Sequence, residues 1–330
     1  MKILVTGGAG YIGAHAVRQL IEKGYEAIVL DNLEYGHPEA LLGKAKLFVG
    51  SISDTALLDK IFEEEKPEAV MHFAAYKSVG ESMQKPSRYF HNNVEGTLYL
   101  LDSMVKRQIK YFIFSSTCAI FGTPENLPAS ETNNPFDPQS PYPESKLMVE
   151  KILKWYDHAY GLRSVCLRYF NAAGASFDGQ IGEDWTMTLN LVPLVMKAAV
   201  GVTPKVQVFG SDYPTSDGTC IRDYIHVVDL AEAHVLSLQK LMQTNETTAY
   251  NLGTGKGSSV KEVIDTAKRI SGVDFYVEEV DRREGDAVAI WADSSKAELE
   301  LNWKAQYGLE EIIQTAWNWH KNHPKGYQKI

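Results

Sequence analysis

The sequence predicts an α/β fold in which a doubly wound parallel sheet carries a smaller, mixed α/β domain. In the first half of the chain, short apolar or β-branched runs alternate with longer helical patterns, as in parallel sheets whose strands are joined by helices. A glycine-rich turn follows the first of these runs and opens the first helix. After Asn171 the regular alternation ends, which indicates a domain boundary.

The alternating elements form the predicted first domain. The predicted strands are Ile3–Thr6, Ala27–Leu30, Leu47–Val49, Ala69–Phe73, Tyr111–Ser115 and Ser164–Tyr169. The predicted helices are Tyr11–Lys23, Thr55–Glu65, Pro86–Arg107 and Pro141–Tyr160. At least six strands result, which is the size of a complete dinucleotide-binding sheet.

The second half of the chain is less regular. Glycine and acidic residues are frequent from Gly174 to Trp185, so we expect an exposed loop there. Further helices are predicted at Asn190–Val200, Val228–Met242, Val260–Ser271 and Leu309–Lys321. We therefore divide the chain into residues 1–172 and 173–330, and we expect the segment near 225–252 to return to the first sheet.

Composition and charge exclude several classes of partner. The chain has 330 residues, of which 44% are hydrophobic and 23% are charged, enough for one large domain or two moderate ones. Its formal net charge of −9 argues against nucleic acid or a membrane surface as a partner, because both favour clusters of Lys and Arg. No apolar run is long enough to span a bilayer.

Cysteine and histidine patterns indicate neither a disulfide framework nor a metal site. Cys118, Cys166 and Cys220 are widely spaced and form no C-x-x-C pair. Among the scattered histidines, His226 and His234 are better explained by positions beside or within a helix start than by metal binding. The N-terminal run is too short for a signal segment, so we expect a reducing, cytoplasmic location.

A dinucleotide site is predicted at the first turn. Gly8-x-Gly10-x-x-Gly13 follows a strand and opens a helix, so bare backbone can approach a pyrophosphate at the helix N-terminus. Asp31 ends the second strand, where a carboxylate binds a ribose 2′-OH and repels a 2′-phosphate. The small residues of Phe73-Ala74-Ala75 leave room for a ring at the same sheet edge. NAD is therefore the expected cofactor.

A candidate catalytic set lies near that edge. Tyr142-x-x-x-Lys146 places two side chains on one helical face. A phenol has a pKa of about 10, and a nearby ammonium together with a positive nicotinamide ring favours the phenolate. We expect Lys146 to lower the pKa of Tyr142, which acts as the base. Thr117 ends the fifth strand and could bond the reacting hydroxyl.

These motifs together resemble the extended short-chain dehydrogenase/reductase family and, within it, the UDP-glucose 4-epimerases. The resemblance covers essentially the whole chain. It rests on Gly7-Gly8-Ala9-Gly10-Tyr11-Ile12-Gly13, Asp31-Asn32, His72-Phe73-Ala74-Ala75, Val79-Gly80-Glu81-Ser82, Asn92-Asn93-Val94-x-Gly96-Thr97, Thr117, Tyr142-x-x-x-Lys146, Arg168-Tyr169-Phe170-Asn171, Arg222-Asp223-Tyr224-Ile225-His226-Val227 and Arg283-Glu284-Gly285-Asp286.

The resemblance implies a Rossmann domain with bound NAD and a smaller substrate-binding domain. It further implies a UDP-sugar substrate in the cleft between them and C4 epimerisation of UDP-galactose and UDP-glucose through a transient 4-keto sugar, as in galactose metabolism. A homodimer is implied through two helices, here Pro86–Arg107 and Pro141–Tyr160.

The resemblance also implies individual roles. The cofactor-binding positions are Gly7, Gly10, Tyr11, Ile12, Gly13, Asp31, Asn32, Ser51, Ile52, Phe73, Ala74, Ala75, Lys77, Asn92, Ser115, Tyr142, Lys146, Tyr169 and Phe170. The substrate-binding positions are Thr117, Tyr142, Asn171, Asn190, Leu191, Gln207, Val208, Phe209, Arg222, Arg283, Asp286 and Ile290. Arg222 and Arg283 carry the planar cationic groups that suit a pyrophosphate.

Two positions depart from the family pattern. Ser51 stands where relatives carry an acidic residue facing the adenine amino group, so the hydrogen bond there is expected to be weaker. Ile290 stands at the sugar pocket where relatives carry either a tyrosine or a smaller residue. A side chain of intermediate size leaves activity on N-acetylhexosamines open.

Several alternatives differ in chemistry. Sugar-nucleotide 4,6-dehydratases need an acid and a base beside the threonine, which Cys118-Ala119 cannot supply. UDP-pentose, UDP-uronate and UDP-N-acetylhexosamine 4-epimerases remain open. A non-enzymatic NAD-sensing regulator would be expected to lose Tyr142 or Lys146, and a structural interaction module has no use for a catalytic set.

Overall fold

The computed structural model describes residues 1–185, 190–283 and 286–327. Its strands are β1 Lys2–Thr6, β2 Glu26–Asp31, β3 Lys46–Val49, β4 Ala69–His72, β5 Tyr111–Thr117, β6 Arg163–Tyr169, β7 Asn171–Ala173, β8 Lys205–Phe209, β9 Ile221–Arg222, β10 Tyr224–His226, β11 Thr248–Leu252, β12 Ser258–Ser259, β13 Tyr276–Val280 and β14 Ala289–Ile290.

Helices connect most of these strands. They are α1 Tyr11–Glu22, α2 Thr55–Glu65, α3 Val79–Gln84, α4 Pro86–Tyr89, α5 Gly96–Lys106, α6 Pro141–Tyr160, α7 Leu191–Ala199, α8 Val227–Thr244, α9 Val260–Ser271, α10 Ser295–Leu301 and α11 Leu309–Asn322. Short 3₁₀ segments span Pro38–Leu41 and Cys118–Phe121, and a π-helical segment spans Phe90–Glu95.

A seven-stranded parallel sheet organises the first domain, with the order β11-β6-β5-β4-β1-β2-β3. The chain runs outward from β1 in one direction and from β4 in the other, so the order reverses between these two strands. In such sheets the ligand crevice lies beyond the carboxyl ends of the strands at the reversal. The sheet therefore confirms the predicted fold class, and β11 lies within the segment near 225–252.

Alternate residues of the strands pack on opposite faces of the sheet. On one face, Ile3 and Val29 pack with α1 and α8 residues such as Leu20 and Leu238. On the other face, Leu4 packs with residues from α2 and α5. Both faces are covered, as the apolar runs of the parallel strands require.

The second region has smaller sheets and its own core. The strands β8 and β13 pair in parallel, β12, β9 and β14 form a three-stranded sheet, and β7 pairs with β10. The helices α7, α9 and α11 pack around Val195, Val263 and Ile312. This core is separate from the two that cover the large sheet.

One predicted helix, Pro86–Arg107, is interrupted. It divides into α4, the π-helical segment and α5. Within the π segment, the amide of Asn93 exchanges hydrogen bonds with the backbone of Tyr76 and donates to Ser145 Oγ at 3.0 Å. A wider turn accommodates these tertiary contacts, and π turns are frequent at functional sites.

The predicted exposed loop from Gly174 to Trp185 is exposed only in its middle. Phe177 is 52% exposed, whereas Ile181 is 1% and Trp185 is 4% exposed. Hydrogen bonds join the backbone of Gly182 to the Tyr327 hydroxyl. The end of the loop is buried because the C-terminal segment covers it and satisfies its polar groups.

Candidate active site

The glycine turn between β1 and α1 is built on close backbone contacts. Gly7 has a φ of +72°, and a Cβ on it would lie 2.5 Å from the Ala74 nitrogen. A Cβ on Gly13 would lie 2.2 Å from the Gly7 carbonyl oxygen. Gly10 precedes α1 without a side-chain cap, so the first amides of the helix can bind an anion.

Asp31 lies at the carboxyl end of β2 beside this turn. Its carboxylate accepts hydrogen bonds from the amides of Ala9 at 3.0 Å and Leu33 at 2.9 Å. Burial raises the pKa of Asp31, and the two backbone hydrogen bonds oppose that shift. A Cβ on Gly36 would lie 2.6 Å from Asp31 Oδ1, so this carboxylate is closely enclosed.

A cleft opens at the reversal of the sheet order. Ten of the predicted cofactor-binding residues line it, namely Gly7, Gly10, Asp31, Asn32, Ser51, Ile52, Phe73, Ala74, Ala75 and Asn92. The sequence prediction omitted further lining residues, namely Leu30, Glu34, Tyr35, Gly36, Gly50 and Tyr76. Two signals pointed to some of these residues: Tyr76 directly follows the Phe73-Ala74-Ala75 motif, and Gly36 lies shortly after Asp31.

Other predicted cofactor residues lie outside the lining of this cleft. The Tyr11 hydroxyl donates to the Gly174 carbonyl at 2.7 Å, and Ile12 packs against the core of the large sheet. Neither side chain is therefore free for a ligand, and their amides at the start of α1 are the groups available. Lys77 Nζ lies 3.4 Å from Glu183 Oε1.

The predicted catalytic residues come together beyond β5. The Thr117 side chain lies close enough to the Tyr142 phenol to lower its pKa. Lys146 is 3% exposed, and its Nζ donates to the Ser115 carbonyl at 2.8 Å. The Ser115 hydroxyl bonds the Tyr169 hydroxyl, so one strand end positions the ammonium and two phenols.

Burial dominates the protonation of this set. It raises the pKa of Tyr142, and the Thr117 side chain opposes the shift. The expected lowering of this pKa by Lys146 is thus not found in the protein alone. Burial also lowers the pKa of Lys146 to about 7, against the attraction of Glu150. A further positive charge at the site, such as a nicotinamide ring, would favour the phenolate of Tyr142 and disfavour the ammonium of Lys146.

Buried contacts position the catalytic helix α6. Ser145 Oγ accepts a hydrogen bond from Asn93 and donates to the Tyr142 carbonyl at 2.6 Å. Further along the helix, Glu150 forms a buried ion pair with Arg168, with 2.7 Å between Oε2 and Nη2. The helix is thereby tied to the π-helical segment and to β6, and motif analysis identified neither contact.

Two of the predicted substrate residues form an ion pair. Arg222 Nη2 lies 2.6 Å from Asp286 Oδ1, and the Arg283 guanidinium lies 3.7 Å from the Phe209 ring centroid. Ile290 pairs with Arg222 between β14 and β9. The guanidinium groups of Arg222 and Arg283 thus come from separate segments to the same part of the fold. Two such groups suit the charge of a diphosphate.

Ile290 belongs to a small apolar cluster. Its side chain packs with Phe170 and Ala292, and Cys118 packs against the same cluster. Cys118 directly follows Thr117. The apolar wall therefore joins the segment after β5 to β14.

The remaining predicted substrate positions are more dispersed. Asn190 Nδ2 donates to Glu183 Oε1 at 3.3 Å, beside Lys77, and Asn171 is exposed at the start of β7. Gln207 donates to Glu278 at 2.8 Å. Leu191 and Val208 belong to the core of the second region. The side chain of Val208 points into this core, so the backbone of Val208 is the part that can meet a ligand.

Metal and membrane functions gain no support from the described parts of the chain. Across residues 1–185, 190–283 and 286–327, no group of three or more His, Cys, Asp or Glu residues is placed to hold a metal ion. Within the same ranges, no helix combines the length and apolarity needed to cross a bilayer.

Comparison with known proteins identifies close relatives. Residues 3–253 match the NAD dependent epimerase/dehydratase family. A UDP-glucose 4-epimerase of Lactobacillus helveticus is 48% identical over 329 residues, which cover 99% of each chain. A crystal structure of a UDP-glucose 4-epimerase has a TM-score of 0.97 at 46% identity and covers 100% of both chains.

A further solved relative contains ligands. The UDP-glucose 4-epimerase of Bifidobacterium longum, in complex with NAD⁺ and UDP, has a TM-score of 0.93 at 41% identity. The match covers 99% of this chain and 100% of that one.

Proposed function

The chain belongs to the NAD dependent epimerase/dehydratase family, and we propose that it interconverts UDP-galactose and UDP-glucose by inverting C4 through a transient 4-keto sugar. It is an NAD-dependent isomerase of galactose metabolism. The observation that carries this conclusion is the convergence of Thr117, Tyr142 and the buried Lys146 at the end of β5, where Lys146 Nζ donates to the Ser115 carbonyl at 2.8 Å, beyond the same sheet edge as the cofactor cleft.

The residues that line the cleft fit NAD. Bare backbone at Gly7 and Gly13 lets the turn pack against itself and Ala74, which leaves the first amides of α1 to face a pyrophosphate. Asp31 offers a carboxylate to a ribose hydroxyl. A carboxylate there would repel the 2′-phosphate of NADP. When bound, NAD supplies the hydride acceptor for C4 and the donor that returns hydride to the opposite face.

Tyr142 acts as the base toward the C4 hydroxyl. Thr117 lies beside this phenol and orients the reacting hydroxyl. Because burial raises the pKa of Tyr142, the ammonium of Lys146 is needed to favour the phenolate. The proton returns from Tyr142 to the keto oxygen when the reaction completes.

Substrate binding relies on the nucleotide. Arg222 and Arg283 hold the diphosphate, Asp286 holds the ribose, and the backbone near Phe209 follows the uridine. The hexose must turn over between the two hydride transfers, so binding energy is best placed on the parts that do not move. The pairing of Arg222 with Asp286 supports this arrangement.

The test is incubation of the purified chain with UDP-galactose and no reductant, with separation of the two UDP-hexoses over time. We expect conversion to an equilibrium mixture, and the Tyr142→Phe protein is the control. Absence of conversion with NAD bound would refute this substrate and favour a UDP-N-acetylhexosamine, UDP-uronate or UDP-pentose. UDP-N-acetylgalactosamine is the next substrate, because Ile290 is smaller than a tyrosine.

A homodimer through α6 and the helical segment over Pro86–Arg107 is the proposed assembly. The Tyr156 hydroxyl of α6 donates to Asp102 of α5 at 2.5 Å, so the two helices lie side by side. On α6, Trp155 is 71% exposed and Tyr160 is 58% exposed. Exposed large apolar side chains on paired helices suit a protein interface. Sedimentation of the purified chain should give twice the monomer mass, whereas a monomeric mass would contradict the proposal.

We also place the protein in the cytoplasm. Cys118, Cys166 and Cys220 are all unpaired thiols, which suits a reducing compartment. Fractionation of cells that express a tagged chain would test this location.

A further inference from the structure

Two walls of the cofactor cleft are joined by side chains that the reaction does not use. Glu34 follows β2 and Tyr76 follows β4, and both line the cleft. In the sheet, β1 lies between β2 and β4. A contact between the segments after β2 and β4 must therefore pass over the glycine turn that follows β1.

Such a contact is present. The Tyr76 hydroxyl donates to Glu34 Oε2 at 2.6 Å, and Arg88 of α4 pairs with Glu34 through Nη2. The Arg88 guanidinium also lies 3.9 Å from the centroid of the Tyr76 ring. A charged hydrogen bond, an ion pair and a cation–π contact thus converge on one point.

We propose that Glu34, Tyr76 and Arg88 form a latch across the cofactor cleft that slows the dissociation of NAD. We call these three residues the cleft latch. The proposal rests on the NAD-binding part of the proposed function and adds to it a determinant of cofactor residence time.

One side of the cleft latch is firmly anchored. Arg88 Nη1 donates to Glu81 Oε1 at 2.6 Å, and Glu81 also accepts from the Tyr89 hydroxyl at 3.1 Å. The backbone of Tyr76 exchanges two hydrogen bonds with the side chain of Asn93. Arg88 and Tyr76 are therefore held in place before any cofactor binds.

The other side is the loop after β2. The side chain of Glu34 is 37% exposed. Tyr35, whose hydroxyl accepts a hydrogen bond from Arg88 at 3.2 Å, is 42% exposed. Opening the cleft latch thus requires breaking the contacts of one exposed carboxylate. The barrier it adds should depend on charge and on ionic strength.

A neighbouring residue, Ser51, makes the cleft latch more important for holding the cofactor. Ser51 lines the cleft with a short neutral side chain, and its Oγ already accepts the amide of Ser53 at 3.1 Å. A neutral hydroxyl with one lone pair already in use binds an adenine amino group more weakly than a carboxylate would. Retention of the adenosine half would then depend more on the groups that close over the cleft.

The experiment measures the release of NAD from the holoprotein without any sugar nucleotide. Protein loaded with isotopically labelled NAD is mixed with excess unlabelled NAD, and bound label is followed over time. The variants are Arg88→Met, Glu34→Gln and their combination. Arg269→Met is the matched control, because Arg269 forms an exposed ion pair with Glu310 on α9 and α11, away from the cleft.

We expect Arg88→Met to release NAD about tenfold faster, since hydrogen bonds to charged groups are worth roughly 1.4 kcal/mol or more. The double variant should match the single variants, because each breaks the same contact. Salt at about 1 M, where the Debye length is about 3 Å, should speed release from the unmodified chain and leave Arg88→Met unchanged.

Either of two results would overturn the cleft latch. In the first, Arg88→Met releases NAD at a rate within about twofold of that of the unmodified chain. In the second, the two proteins show equal salt dependence of release. Thermal unfolding of the cofactor-free proteins separates this result from a general loss of stability. A protein that exchanges NAD but epimerises nothing would refute the proposed function alone. A chain that binds no NAD would refute both.

Discussion

The cofactor side and the substrate side of the site are held by different kinds of contact. On the cofactor side, backbone atoms meet backbone atoms: a Cβ on Gly13 would lie 2.2 Å from the Gly7 carbonyl oxygen. On the substrate side, side chains from distant segments meet. Arg222 pairs with Asp286, and Arg283 lies over Phe209.

The difference suits the two tasks. A cofactor that must present the same ring in both half-reactions gains from a closely packed backbone, which tolerates little displacement. A hexose that turns over gains from anchors placed on its nucleotide alone. Ion pairs between long side chains can also rearrange around a ligand at lower cost than a packed turn.

Acid should destabilise the cofactor side and the substrate side alike, because both contain buried histidines. His15, His72, His226, His234 and His320 are buried, and burial lowers each pKa from 6.5 to about 3 or 4. Below pH 6.5 the unfolded chain binds protons that the folded chain does not. The free energy of unfolding should therefore fall as pH decreases, by about 1.4 kcal/mol per histidine per pH unit.

Urea unfolding between pH 7.5 and 5 measures this slope. His234→Gln should reduce this slope by the contribution of one histidine. A slope equal to that of the unmodified chain would contradict the assignment of a neutral, buried His234.

Replacement of Tyr142 should separate chemistry from binding. We expect Tyr142→Phe to lose turnover by about 10³-fold or more, since general base catalysis contributes roughly 10²–10⁴-fold. Bound NAD and the dissociation constant for UDP should remain nearly unchanged. Tyr160→Phe, which removes an exposed phenol from the same helix, is the control, and near-normal turnover of Tyr142→Phe would remove it from the base role.

Replacement of Gly13 tests the backbone side. In Gly13→Ala the new methyl group meets the Gly7 carbonyl oxygen, so the turn must shift. We expect NAD affinity to fall by about 100-fold, equivalent to roughly 2.7 kcal/mol. Gly80→Ala is the control, because nothing lies within 4 Å of a Cβ there. Calorimetric titration with NAD gives both values, and equal affinities would show that the turn is adaptable.

Replacement of Arg283 tests the side-chain side and should have the smallest effect. Arg283→Met removes one cationic group and keeps much of the apolar stem, so we expect the dissociation constant for UDP to rise about tenfold. Arg282→Met is the neighbouring control, because Arg282 pairs with Asp212. An unchanged constant for Arg283→Met would refute its assignment to the diphosphate, and lost NAD affinity would show that the two sides are coupled.

Local patterns identified residues that gather in one cleft. The glycine turn, Asp31 and the alanines after β4 all depend on residues at a strand end or in one turn, and they line the cleft; their binding of NAD stays a prediction. Tyr142 and Lys146 lie outside that lining, and their spacing places them on one face of α6. Their protonation could not be predicted locally, because burial from other segments controls it.

Contacts between distant segments escaped the sequence motifs. The interruption of the predicted Pro86–Arg107 helix depends on Asn93 reaching Tyr76 and Ser145. The burial of the end of the loop after β7 depends on the C-terminal segment. In each case a polar group is satisfied by a partner that no local pattern identifies.

The sequence by itself determined the alternation of strands and helices, the nucleotide turn and the catalytic pair, because each requires only contacts within a turn or along one helix. The tertiary structure decided which loops meet above the cleft. Glu34 and Arg88 are 54 residues apart in the chain, and Arg222 and Asp286 are 64 apart. Such pairs form because the order of the strands brings their loops together, and burial then sets the charge that each group carries.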